Sequence, residues 1–175
     1  TLTTLQMELG SSPYALASTV EHLLRDSPPP LQSARLQDIL DLARSIHRSA
    51  KLEALQRTLS SLGSEKAVIF TRYLSTLRWL RESLEDYPLV AYHGGLSARE
   101  KDESVERFRK DSQLLLSTDS GGEGRNLQFC HIMVNFDLPW NPMRIEQRIG
   151  RLSRIGQQQD VYIFNLSSRG TVEDR

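Results

Sequence analysis

From Lys51 onward the chain alternates short, nearly continuous apolar runs with amphipathic stretches, and that alternation leaves few folds open. The runs are Ala67-Val68-Ile69-Phe70, Leu89-Val90-Ala91-Tyr92, Leu114-Leu115-Leu116, Ile132-Met133-Val134 and Val161-Tyr162-Ile163-Phe164. A strand that faced water on one side would alternate apolar with polar; an uninterrupted run fits a strand covered on both faces. Between the runs lie helical patterns at Leu74 to Leu84, Ala98 to Phe108 and Pro142 to Arg154, and Leu52, Leu55, Leu59 and Leu62 make an earlier helix face that Gly63 ends. Strands alternating with helices require right-handed crossovers. The expected class is therefore α/β, a parallel sheet of about five strands flanked by helices.

The first fifty residues read differently. Apolar residues from Leu2 to about Arg25 recur at three and four spacings, broken by Gly10-Ser11-Ser12-Pro13, which predicts two helices with Ser12 capping the second. Pro28-Pro29-Pro30 is a rigid connector to a third helix carrying Leu36, Ile39, Leu40, Leu42, Ala43 and Ile46. We expect residues 1–50 to form a helical appendage and residues 51–175 the sheet domain, with the chain stopping as a last helix begins.

Lys and Arg number 22, as do Asp and Glu, so no net field draws this chain to nucleic acid or membrane, and any such contact must be local. The single cysteine, Cys130, excludes a disulfide framework and reads as a small buried hydrophobe. No apolar stretch reaches the roughly 18 residues of a membrane span, and Thr1-Leu2-Thr3-Thr4 does not resemble a signal peptide, so a cytoplasmic protein without membrane contact is expected.

In parallel sheets, sites gather where strands end and loops lead into helices. Four segments stand there. In the helix after Asn141-Pro142, Gln147, Arg151 and Arg154 recur at i, i+4 and i+7, so two guanidinium groups project together as a polyphosphate requires, with Gly150 as a notch and Gly156 as terminator. A solvated arginine-rich face paired with acids satisfies the same spacing. After Leu116 comes Ser117-Thr118-Asp119-Ser120-Gly121-Gly122-Glu123-Gly124-Arg125-Asn126, whose glycines let backbone N–H groups face an anion and whose Thr118 adds a hydroxyl; tight turns use the same glycines. Tyr92-His93-Gly94-Gly95 precedes a capping box at Ser97 and Glu100, a helix start that favours anions. Thr71-Arg72 follows the first run. There is no G-x-x-x-x-G-K-[ST] loop and no Asp-Glu pair placed after a strand to hold magnesium, so half of a nucleotide site is missing.

In this order, GGEGRNLQF, FDLPWNP and EQRIGRLSRIGQ resemble the second RecA-like motor lobe of the Swi/Snf-type ATPases of helicase superfamily two. They look closest to the bacterial and archaeal branch that includes the RNA-polymerase-recycling ATPase. The segment from Leu9 is similar to the helical protrusion leading into that lobe. The resemblance implies a RecA-like fold and a lobe of an ATP-dependent translocase on double-stranded DNA, inactive as an ATPase without its first lobe, which would hold most of ATP and magnesium. Arg151 and Arg154 would be arginine fingers, with Gln147 positioning them. Gly122, Glu123, Gly124 and Asn126 would line the nucleotide side of the cleft, while Thr71, Arg72, His93, Gly94 and Thr118 would touch the nucleic-acid backbone. The implied partners are the first lobe, duplex DNA and a protein cargo on it. Two rival readings remain: a stand-alone nucleotide-binding α/β domain using the glycine loop, and a degenerate lobe serving as a protein-interaction module.

Overall fold

The computed structural model describes residues 2–119, 126–153 and 156–168. Three helices come first, α1 (Leu2–Ser11), α2 (Pro13–Arg25) and α3 (Pro30–Ser45). The break before α2 arises as its residues predict: Ser12 is extended, and its hydroxyl accepts the Ala15 N–H at 3.1 Å, while Pro13 occupies a first-turn position where no N–H is needed. Helices α2 and α3 bury Leu16, Ala17, Val20, Leu40 and Ala43 against one another, with Leu5 of α1 at the margin. This small cluster is separate from the cores of the sheet. Ile46, expected inside α3, instead turns extended and closes it.

Helix α4 (Ala50–Leu62) ends at Gly63, whose φ of 61° is a left-handed conformation that glycine adopts without a Cβ clash. Then come β1 (Ala67–Thr71), α5 (Leu74–Ser83), β2 (Leu89–Tyr92), α6 (Ala98–Lys110), β3 (Leu114–Thr118), β4 (Ile132–Asn135), α7 (Pro142–Leu152) and β5 (Tyr162–Asn165). All five strands are parallel, in the order β2-β3-β1-β4-β5. Central β1, β3 and β4 are buried at every residue, as their unbroken apolar runs predict.

The direction of each crossover decides which face each helix covers. The β1-to-β2 connection runs one way along the sheet, and the β2-to-β3 and β4-to-β5 connections run the other way. A right-handed rule therefore sends α5 to one face and α6 and α7 to the opposite one. The cores agree: Ile69, Leu116 and Val134 pack with Leu55, Leu59, Leu77 and Leu80 of α4 and α5, whereas Val68, Leu115 and Met133 pack with Val105 and Phe108 of α6 and Leu152 of α7. Strand β5 departs from expectation. Tyr162 is 55% exposed and Ile163 38%, because among the described residues β5 is an edge strand paired only with β4. Cys130 is fully buried, and desolvation pushes its thiol up to about 11, in keeping with a packing role.

Helix α7 stops at Leu152, short of the expected Arg154. Its last carbonyls find partners elsewhere: Arg151 O accepts the Leu127 N–H at 3.1 Å, and Leu152 O accepts from Gln157 Nε2 at 3.1 Å. With those acceptors satisfied, Gly156, although at a φ of 106°, is not needed as the terminator.

Candidate functional site

Parallel pairing brings the C-terminal ends of the strands to one rim. Thr71 stands in register with Thr118, Tyr92 with Ser117, Phe70 with Asn135, and Asn135 with Asn165. Arg72, His93 and Asp119 follow directly, so the sequence candidates on three different strand ends meet on a common edge.

The face of α7 turned to this rim is not the one spacing alone suggests. Gln147 is exposed, whereas Arg148 and Arg151 are 1% and 9% exposed. Both guanidinium groups lie over the ring of Phe70 from β1, Arg148 at 4.9 Å and Arg151 at 5.6 Å from its centroid. Two cations thus converge on one aromatic ring at the end of the central strand. Arg154, the other half of the expected pair, lies outside the described residues, as do Gly122, Glu123 and Gly124. A Cβ built at Gly150 meets nothing within 4 Å, so the chain itself leaves the expected notch open.

Arg148 was absent from the sequence candidates and is tethered at several points on the rim. Its Nε donates to Asp119 Oδ1 at 2.7 Å, and its Nη1 donates to Asn135 Oδ1 at 2.7 Å and to the Asp137 carbonyl at 2.9 Å. Burial pushes its pKa below the ordinary value, and Asp119 pulls it back up. Asp119 also lies 3.5 Å from Arg144. The only signals for Arg148 were its place three residues before Arg151 and the polar strand ends Asn135 and Asp119 facing the same edge.

A second centre missed by sequence is Asp137, 2% exposed, two residues beyond β4. Its Oδ2 accepts from the Thr71 hydroxyl at 2.6 Å, the Ser11 hydroxyl at 2.8 Å and the Arg72 N–H at 2.9 Å, and its Oδ1 accepts from Lys51 Nζ at 3.2 Å. Thr71 is fully buried, so its hydroxyl is turned inward to Asp137 and the outward donor at this strand end is Arg72. Thr118 is also buried. Asn126 is exposed and closes a local turn through its Oδ1 and the Gln128 N–H at 3.0 Å.

At the β2 end, His93 Nδ1 accepts the Gly95 N–H at 3.2 Å, shaping the turn that exposes Gly94. The following helix start is already filled. Glu100 accepts both the N–H and the hydroxyl of Ser97, which lowers its pKa, so its carboxylate stands where an external anion was expected.

Beside Arg72, Glu8 of α1 is 6% exposed; its Oε1 accepts from Thr19 at 2.7 Å, while its Oε2 has no hydrogen-bond partner among the described residues. Desolvation raises its pKa above 4.5, and Thr19 and Arg72 offset this in part. A carboxyl group raised on folding favours the folded state most when protonated, and that advantage is lost as pH climbs from the unfolded value through the folded one. Glu8→Gln is therefore expected to raise the melting temperature more at pH 7 than at pH 4, read by thermal melts at both. An equal or smaller gain at pH 7 contradicts this assignment.

Among the described residues no group of three or more His, Cys, Asp or Glu is placed to hold an ion. The guanidinium groups of Arg72 and Arg151 give this rim cationic donors of the kind that suit a polyanion. No described helix is long and apolar enough to cross a membrane.

Comparison with known proteins places the fold in a family. Residues 50–156, more than half of the chain, match the family described as helicase conserved C-terminal domain. An uncharacterized ATP-dependent helicase, YqhH of Bacillus subtilis, is 37% identical over 98% of this chain and 31% of its own length. The RNA polymerase-associated protein RapA of Vibrio vulnificus is 37% identical over 69% of this chain and 13% of its own. The chain thus spans less than a third of these relatives. Among solved structures, the C-terminal part of the Fun30 ATPase domain superposes with a TM-score of 0.67 at 26% identity, covering 72% of this chain and 43% of that one. The E. coli DEAD-box protein SrmB, solved with the regulator RraA, shares the fold alone, with a TM-score of 0.61 at 21% identity over 67% of this chain and 69% of that one. The chain belongs to the helicase conserved C-terminal domain family, with a RecA-like fold.

Proposed function

We propose that this lobe completes the ATPase site of a motor that tracks along double-stranded DNA, with a first RecA-like lobe holding most of ATP and magnesium. The observation that carries this reading is the convergence of Arg151 and Arg148 over Phe70, on the rim that also presents Arg72 and His93. One edge of one sheet then serves both ligands. Arg151, with Arg154 beyond it, reaches the terminal phosphates when the cleft between the lobes closes, and Gln147, exposed on the same helix, positions or senses the nucleotide. Gly122, Glu123, Gly124 and Asn126 line that side of the cleft. Bound ATP supplies the phosphoryl group whose transfer to water drives the cycle.

The roles of this chain's residues follow from their chemistry. Charge spread over phosphoryl oxygens is stabilised by donors that need not reorganise, and a guanidinium seated on an aromatic ring is such a donor. Arg72, His93 and Gly94 face the track through its phosphates, a contact that carries no sequence information, while Thr118, buried at the end of β3, supports that rim from beneath. Thr71 contributes through its bond to Asp137. Helices α1–α3, with their own small core, act as the protrusion, and residues 51–175 as the motor lobe proper. The name carried by the RapA relatives, RNA polymerase-associated protein, makes RNA polymerase a fitting protein cargo.

The test is ATP hydrolysis by the protein comprising both lobes, measured without nucleic acid, with duplex DNA and with single-stranded RNA. Duplex DNA is expected to stimulate turnover at least ten-fold, and steeply less at high salt because phosphate contacts release counterions. Turnover indifferent to every nucleic acid contradicts the proposal.

A further inference from the structure

Resting on the motor reading above, we infer that Asp137 is the positioning residue that links track contact to the arginine helix. It joins groups from four separate parts of the chain. On its carboxylate side it holds Thr71 and the N–H of Arg72, the track-facing end of β1, together with Ser11 at the α1–α2 junction and Lys51 at the start of α4. On its backbone side its carbonyl holds Arg148, which shares the Phe70 ring with Arg151. A displacement of Arg72 by a bound phosphate therefore has a path of two hydrogen bonds to the helix bearing the fingers.

The linkage is stiff for a physical reason. Asp137 and Lys51 have side chains 3% and 4% exposed, and Lys51 Nζ also donates to Gly10 O at 3.1 Å and lies 5.1 Å from the Phe136 ring centroid. A buried carboxylate with four donors has no low-energy alternative arrangement, because any donor withdrawn leaves it under-solvated. Ser11 additionally shares a 2.8 Å hydrogen bond with Thr76 of α5, and Tyr14 stacks on Trp79 at 5.6 Å. The helical appendage is thus braced against the same residue, and a shift of α1–α2 would reach the rim through it.

The experiment uses the two-lobe protein with Asp137→Asn and reads the ratio of duplex-stimulated to basal kcat. That ratio does not depend on the fraction of folded protein, so a purely structural role leaves it unchanged. The amide keeps the shape, loses the charge and cannot accept on both sides; the ratio is expected to fall at least ten-fold, with KM for ATP within three-fold of the parent. Should Asp137→Asn fail to fold, the double variant Asp137→Asn/Lys51→Met removes the uncompensated cation at similar volume and carries the same readout. A ratio within two-fold of the parent overturns the inference. Arg151→Ala, run in parallel, separates the two claims: if it is inactive while Asp137→Asn keeps its ratio, only the linkage is wrong, and if Arg151→Ala retains full turnover, the motor reading itself has failed.

Discussion

Arg151→Ala is expected to lower duplex-stimulated ATP turnover of the two-lobe protein by about a thousand-fold or more, the range that arginine fingers contribute to phosphoryl transfer. The expectation comes from placement. Arg151 is on the packed side of α7, 9% exposed, with its guanidinium over Phe70 at the C-terminal rim of the central strand. Its rotamers are already restricted, so little entropy is lost when it meets a phosphate. Arg151→Lys keeps the charge and loses the planar fork, and is expected to lose at least a hundred-fold. Because truncation also removes the contact with Phe70, Arg151→Ala should cost about 1–2 kcal/mol of stability. Melting curves recorded alongside the assay keep that cost apart from the loss of turnover. Full activity in either variant ends the arginine-finger assignment.

Arg148→Ala is expected to be the most destabilising single change on the rim, by about 3–5 kcal/mol, the cost of breaking a buried pair by removing one partner. The guanidinium is 1% exposed and serves Asp119, Asn135 and the Asp137 carbonyl together. Its loss leaves three acceptors short of a donor, beside the cavity vacated by the side chain. For a chain of this size the melting temperature should fall on the order of 10 °C, read by calorimetry. Pairing the change with Asp119→Asn should recover part of the loss, since the uncompensated charge then disappears. A fall of under about 1 kcal/mol would mean that water replaces the guanidinium at little cost.

The strands and helices of the sheet domain were legible because their signals are local. Ala67 to Phe70 cannot face water on either side, and Ser12 and Ser97 carry their caps within three residues. Sheet order was not legible, since nothing in an apolar run says which other run it pairs with. The Asp137 centre was invisible for the same reason in stronger form: its partners Thr71, Lys51 and Ser11 lie 66, 86 and 126 residues away. In α7, spacing singled out Gln147, Arg151 and Arg154, but helical periodicity cannot say which stripe of a helix with several arginines is packed. Phe70 decides it by offering its ring to Arg148 and Arg151. The end of α7 falls at Leu152, before the expected Arg154, and there Gln157, from beyond the helix, satisfies the Leu152 carbonyl, a contact that no local pattern announces.

The division of labour between two lobes is tested most directly by titrating ATP with magnesium into this chain alone in a calorimeter, then adding the first lobe and following phosphate release. The account predicts no saturable binding at micromolar concentrations by the chain alone, and hydrolysis only once both lobes and duplex DNA are present. Micromolar binding or turnover by the isolated chain would contradict it and favour a self-sufficient nucleotide site.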